Sequence, residues 1–215
     1  MMKDELRALK SLAGPLPTFD MEEVPDDPQL LFSSWFRDAV QAGVEEPHAM
    51  VLSTVDEQGA PDARILILKH LDHRGWHFAS TDQGPKGRQM ALNPQVALTF
   101  YWTRLGRQVR IRGMVRRADM HERDADFFAR PPGARAIALT ARQSERLASP
   151  RELEEALELQ RERLRQGPDL VALHWGLFIV APREVEFWQG DAERRHRRLH
   201  YRHGATGWAR EKLWP

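Results

Sequence analysis

The chain has no cysteine in its 215 residues. That excludes a disulfide scaffold, a thiolate nucleophile and any metal site with cysteine ligands. It also fits a reducing compartment, so a cytoplasmic protein is expected. No apolar run approaches the roughly 20 residues that cross a bilayer as a helix. The opening MMKDELRALK carries early acids and no apolar segment, so no secretory signal is expected. Charge imbalance is missing too: 32 Lys and Arg against 31 Asp and Glu leave +1. Such a balance gives no global argument for nucleic acid or an anionic membrane. No internal repeat and no low-complexity tract stands out. What is present is 41% hydrophobic residues, enough for a sizeable core, in a length suited to one domain.

Residues 1–26 read as a flexible N-terminal arm. Gly14, Pro15 and Pro17 break any early helix, and Asp20, Glu22, Glu23 and Asp26 make it acidic. Residues 27–215 read as one domain. Pro28 suits the first position of a helix on which Leu30, Leu31, Trp35, Phe36 and Val40 recur at helical spacing. Short strands follow at 48–55, 63–71, 76–80, 95–102 and 108–116, and again beyond residue 174, joined by tight Gly-bearing turns. Helices are expected at 85–92, 119–129 and 150–165; Ser149, Pro150 and Glu152 form a capping box for the last. Seven or eight antiparallel strands with three or four peripheral helices favour a small barrel over an open sheet.

Locally the charge is uneven. Residues 104–117 hold six arginines and no acid, and residues 194–203 hold five arginines and three histidines, again with no acid. Such runs repel themselves unless they are solvated or face an anion. A solvated edge strand and a site for a phosphate-like ligand both satisfy that condition. RNA is a third reading, because Trp188, Tyr201 and Trp208 interleave with the arginines, but the neutral overall charge disfavours it. Lys69 lies in ARILILKHL and is either an edge gatekeeper or a ligand contact at a barrel mouth. Lys86, with Gly84, Gly87 and Arg88, follows a strand and opens a helix, a place where a phosphate can be held. The spacing is not that of a P-loop. No HExxH pair and no GxSxG elbow occurs, so neither a metal site nor serine hydrolysis is expected.

Several ordered stretches together resemble the pyridoxine/pyridoxamine 5′-phosphate oxidase family of FMN enzymes. They are DPQLLFSSWF, AMVLSTVDEQGAPDARILILKHLDHRGWHF, the NP of LNPQVALTFYW, GRQVRIRG, FFARP, ARQS, EFWQG followed by Arg194, His196 and Arg198, and a terminal LWP. The resemblance runs from about residue 27 to residue 215. It implies an FMN-binding split β-barrel, usually a homodimer with FMN at the subunit interface and a C-terminal dimerisation region. It places Arg64, Lys69, Ser80, Lys86, Gln108, Gln143, Ser144, Trp188 and Arg198 at the flavin. It places Lys69 and Arg130 on the substrate phosphate, and Arg194 and His196 beside the reacting carbon as the catalytic pair.

The chain departs from the family pattern at five places. Gly84-Pro85 stands where the family has Ser-Arg, which removes a hydroxyl and a cation and implies weaker FMN binding. Asp126 stands for a tyrosine and Ala134 for a serine in the substrate phosphate clamp. Arg195 and Arg197 replace an apolar residue and a small polar one. An Asp126 carboxylate beside a phosphate is repulsive by roughly 1–4 kcal/mol, unless it turns away or pairs with Arg130. The resemblance implies hydride transfer from substrate C4′ to FMN N5 with O₂ as acceptor, giving pyridoxal 5′-phosphate and H₂O₂. The alternatives are a flavin oxidase of another substrate, such as those of phenazine biosynthesis, which STDQGPKGR and TGW resemble, and a non-catalytic FMN-binding protein. Partners beyond a small phosphorylated or aromatic substrate and a second copy of the chain are not expected.

Overall fold

A computed structural model describes residues 1–215. Two short helical segments open it, α1 (Met2–Ala8) and α2 (Pro28–Gln41), followed by β1 (Ala49–Val55), β2 (Pro61–Asp72), β3 (Gly75–Thr81) and α3 (Pro85–Leu92). Then come β4 (Gln95–Trp102), a 3-10 turn at Thr103–Leu105, β5 (Arg107–Arg117), α4 (Met120–Phe128), α5 (Pro132–Thr140) and α6 (Pro150–Gln166). The chain ends with β6 (Trp175–Gln189), β7 (Arg197–Gly204) and β8 (Gly207–Leu213). The strands run β3-β2-β1-β4-β5-β6-β7-β8, and a further β3–β6 pairing closes the first six into a barrel. This is the small antiparallel barrel the strand pattern implied, and the split barrel the family resemblance implied. No helix is long and apolar enough to cross a membrane.

Local chemistry explains the elements. Asp27 caps α2 by accepting from the Gln29 N–H at 2.8 Å, with Pro28 behind it at the first helical position. Ser149 caps α6 by accepting from Glu152 N–H, and the Glu152 carboxylate reaches back to Ala148 N–H at 2.9 Å. Two stretches read as separate strands, 174–180 and 184–189, form one strand, β6. Pro182 lies between its ladder to β3 (residues 175–180) and its ladder to β7 (residues 184–189), so its missing N–H interrupts neither. Helices α1 and α5 exceed the expected count; α5 starts at Pro132, directly after a Pro131 that reads in sequence only as a stop.

The chain divides into two compact units. The first comprises residues 1–52, 97–113 and 182–215. Its core is aromatic: Trp35 meets Phe19 at 4.8 Å and Phe187 at 5.2 Å edge-on, and Phe32 meets Phe100 at 4.9 Å. Arg107 is buried against Trp35, donating to Asp38 at 2.7 Å and to Gln189 at 3.0 Å. Residues ahead of α2 are tied to this unit, with Arg197 donating to Phe19 O at 2.6 Å and Tyr201 Oη to Pro25 O at 2.7 Å.

The second unit comprises residues 53–96 and 114–181. Phe78 stacks on Phe178 at 5.5 Å, and Phe127 packs against Trp175. Asp72 accepts from Arg74 and His77, and Arg74 reaches Glu122 on α4. Burial pushes the Asp72 carboxyl up, but those bonds outweigh it and hold it well below the ordinary aspartate value.

The two basic runs are not open anion sites along their length. Acids from neighbouring strands face them: Glu186 takes Arg110 and Arg198, Glu184 takes Arg112 at 3.0 Å, and Glu211 takes Arg202 at 3.5 Å. Arg107 and Arg117 pair with Asp38 and Asp82. The runs look acid-free only because an antiparallel sheet draws partners from elsewhere in the chain.

Candidate functional site

A cavity of about 420 Å³ opens in the second unit, its wall formed in part by Ser80, Lys86, Arg130, Gln143 and Trp175. That volume lies in the usual range for small-molecule sites. Lys86 comes from the first turn of α3, which Gly84 and Pro85 start without a side-chain cap. Gly87 is required behind it, since a Cβ there would overlap the Asp82 backbone. Lys86 is only 7% exposed, and its bonded partner is an uncharged one, the Gln143 side-chain carbonyl. Burial lowers its ammonium below the ordinary lysine value, and the charge of Arg64 lowers it further.

Arg64 stands on β2 outside the cavity wall, donating to Thr54 at 2.6 Å, Asp62 at 2.5 Å and Gln89 at 3.2 Å. Ser80 is buried, its hydroxyl donating to Thr81 O at 3.3 Å. Gln143 and Ser144 follow α5 in an exposed loop, and Ser144 adopts φ 70°. A non-glycine residue in that region costs about 1–3 kcal/mol, and such strain gathers at functional sites. Gly84 now has a structural reason: a Cβ there would stand 3.0 Å from Gln143 Oε1. Lys69 is exposed on β2 and does not line the cavity. The β2–β3 register steps from Leu68↔Phe78 to His70↔His77, so Lys69 is the extra residue of a bulge.

The residues expected at the substrate phosphate include Asp126, which turns away from Arg130. Its Oδ2 accepts the Trp175 indole N–H at 3.0 Å rather than pairing with Arg130. The Arg130 guanidinium lies 4.1 Å over the Trp175 ring and donates to Ala134 O at 3.3 Å. Its Nε is buried without a partner. Burial lowers the Arg130 guanidinium below its ordinary value, against the opposing charge of Asp126. Ala134 has no hydroxyl to offer; its carbonyl serves Arg130 instead.

A second set of expected site residues lies in the first unit. Gln108 on β5 and Trp188 on β6 are half-buried. The Trp188 ring lies 4.7 Å from the His196 ring. His196 Nδ1 accepts from Asp191 N–H at 3.1 Å, which leaves the Nε2–H form when the ring is neutral. Arg194 is exposed at φ 64°, a second strained residue among those expected at the site. Arg198 donates to Glu186 at 2.8 Å and to Trp214 O at 2.8 Å. Burial pushes the Glu186 carboxyl up, but Arg198 and Arg110 more than offset it and leave it below the ordinary glutamate value. The cavity thus gathers Ser80, Lys86, Arg130 and Gln143, whereas Gln108, Trp188, Arg194, His196 and Arg198 belong to the first unit, where Trp188 adjoins His196 and pairs in register with Arg198. Sequence reasoning missed Trp175 and Glu186. Trp175 carried no local signal, while Glu186 sits inside EFWQG and was passed over.

A closed split barrel whose second unit carries a cavity lined by Lys86 and Arg130 belongs to the class of split-barrel proteins. The family model described as pyridoxamine 5′-phosphate oxidase matches residues 36–165, and that of the pyridoxine 5′-phosphate oxidase C-terminal dimerisation region matches residues 175–215. The chain belongs to the pyridoxine/pyridoxamine 5′-phosphate oxidase family. The pyridoxine/pyridoxamine 5′-phosphate oxidase of Pseudomonas paraeruginosa is 46% identical over 194 residues, 89% of this chain and 90% of its own length. That of Rubrobacter xylanophilus is 43% identical over 189 residues, 88% of this chain and 87% of its own. Among solved structures, PhzG from Burkholderia lata in complex with tetrahydrophenazine-1-carboxylic acid aligns with TM-score 0.84 at 26% identity, covering 94% of this chain and 100% of its own.

Proposed function

We propose that the protein is an FMN-dependent oxidase that converts pyridoxine or pyridoxamine 5′-phosphate to pyridoxal 5′-phosphate. The observation that carries this reading is Lys86: a buried cation, bonded only to an amide in a cavity wall, is matched by an anionic group such as phosphate. The donor set fits FMN. Arg64, Ser80, Lys86, Gln143 and Ser144 supply cations, two hydroxyls and an amide for the phosphate and ribityl chain, whereas Lys69 lies outside the cavity wall. Gln108, Trp188 and Arg198 supply an amide, an aromatic wall and a cation for the ring. Held by these residues, FMN would supply the two-electron redox chemistry that carries a hydride from the substrate on to O₂. The chain's own part is placement. Arg194 and His196 orient the substrate and Arg130 holds its phosphate; Lys69, expected beside Arg130, is exposed on β2 outside the cavity wall. The match of residues 175–215 to a dimerisation region supports a homodimer, and the family resemblance implies that FMN binds between its subunits.

A second reading, an oxidase of a different aromatic substrate, draws on Ala134 and on the likeness to PhzG. The charge objection to the first reading is weak, because Asp126 is engaged by Trp175 and not aimed at the phosphate-holding Arg130. Substrate-dependent H₂O₂ release by the FMN-loaded protein tests the proposal. Release with pyridoxamine 5′-phosphate and little with pyridoxamine is expected. H₂O₂ from neither would remove the vitamin substrate.

A further inference from the structure

Asp126, Trp175 and Arg130 form a chain of contacts that ends at the cavity wall. The Asp126 carboxylate accepts the indole N–H at 3.0 Å, and the guanidinium lies over the face of the same ring at 4.1 Å. Trp175 is 7% exposed and packed against Phe127, so the ring is a fixed platform. A carboxylate bonded to the indole edge draws electron density towards the ring and strengthens its attraction for a cation on its face. Arg130 also holds Ala134 O, and its buried Nε has no partner in the protein. The indole bond has a second effect. It occupies a carboxylate that stands four residues from Arg130 and whose charge is felt there.

We infer that Asp126 is a positioning residue for substrate recognition, holding Arg130 in the cavity wall through Trp175, while the indole N–H keeps the carboxylate from competing with the substrate's phosphate. The inference rests on the proposed reading of Arg130 as a phosphate holder. It gives Trp175 two separable jobs, ring platform and N–H donor. Trp175→Phe keeps an aromatic face but removes the donor. Asp126 then loses its partner and turns to Arg130, where it repels an incoming dianion. Removing the carboxylate as well lifts that competition. Loss of packing alone predicts the opposite, with the second substitution adding to the harm of the first.

The test is equilibrium binding to the FMN-loaded protein, with pyridoxal 5′-phosphate and pyridoxal as probes, read from the perturbation of the flavin spectrum. Folding of each variant is checked by thermal melting. The wild type should prefer the phosphorylated probe; equal affinity for the two would overturn the reading of Arg130 and this inference with it. Given that preference, Trp175→Phe should weaken the phosphorylated probe about tenfold, about 1.4 kcal/mol, and leave pyridoxal unchanged. Trp175→Phe with Asp126→Ala should bind the phosphorylated probe more tightly than Trp175→Phe alone. Asp126→Asn, which retains an oxygen acceptor for the indole but not the charge, should weaken the phosphorylated probe by less than Trp175→Phe does. A double variant as weak as the single, or a Trp175→Phe protein that binds like wild type, would contradict the inference.

Discussion

The Lys86 ammonium donates to the Gln143 side-chain carbonyl across a cavity wall, with Gly84 leaving the space that Gln143 occupies. A charged donor and an uncharged acceptor make an incomplete pair in a buried setting. On the proposed function, an arriving phosphate completes it. The substitution of Gly84-Pro85 for the family's Ser-Arg therefore has a local compensation, because Gln143 closes on the lysine where a serine Cβ would crowd it.

Lys86→Met should act in opposite directions on stability and on binding. The FMN-free protein should melt higher, since a poorly compensated buried charge is gone. FMN affinity should fall by one to two orders of magnitude, the loss of a charge-assisted bond of about 1.5–3 kcal/mol. Melting curves and titration of flavin fluorescence check the two halves.

The lowered Lys86 value gives a pH signature. A cation whose folded value lies below its unfolded 10.5 penalises folding in full below the folded value. The penalty fades as pH rises through the folded value towards 10.5. The FMN-free wild type should therefore gain stability relative to Lys86→Met as pH is raised into the alkaline range. Melting temperatures of the two proteins across that range would show the gap closing.

Glu186 carries the opposite sign. Its folded value lies below 4.5, so the stability it contributes is present above that value and is lost as pH falls through the folded one. Glu186→Gln should lower the melting temperature at neutral pH and flatten its decline in acid. The same variant should loosen Arg198, which shares the carboxylate with Arg110.

Arg194→Ala should slow flavin reduction by substrate while FMN stays bound. Rapid mixing under anaerobic conditions reads the rate, and gel filtration followed by the visible spectrum reads retention. Loss of flavin in this variant would mean that Arg194 serves the cofactor instead.

Gly87→Ala should disturb the start of α3. The added Cβ overlaps the Asp82 backbone, so the turn must move, at a cost of about 1–3 kcal/mol. A lower melting temperature and weaker FMN binding are expected together, because the same turn carries Lys86.

Much of the fold was readable from local chemistry. Helix α3 was placed at residues 85–92 because Pro85 and Asn93-Pro94 bracket it, and α6 was placed by Ser149 and Glu152. The strands were readable where Gly-bearing turns bound them. Helix α5 was missed because Pro131-Pro132 reads as a stop, whereas the second proline is the first residue of a new helix. The bulge at Lys69 was missed because an alternating pattern does not show where a register slips. At the site, Lys86 and Gln143 could be named from motif and resemblance. The partnership of Asp126 with Trp175 could not, since 49 residues separate them and only tertiary packing brings the indole to the carboxylate. The arginine runs mislead for the same reason: their acids lie elsewhere in the chain, on other strands, on α2 and just after β3.

The most direct test is anaerobic mixing of the FMN-loaded protein with pyridoxamine 5′-phosphate while the yellow flavin band is followed. The account predicts that the band bleaches and that air restores it with formation of H₂O₂. A band that stays yellow with both pyridoxamine and pyridoxine 5′-phosphate would contradict the proposed activity.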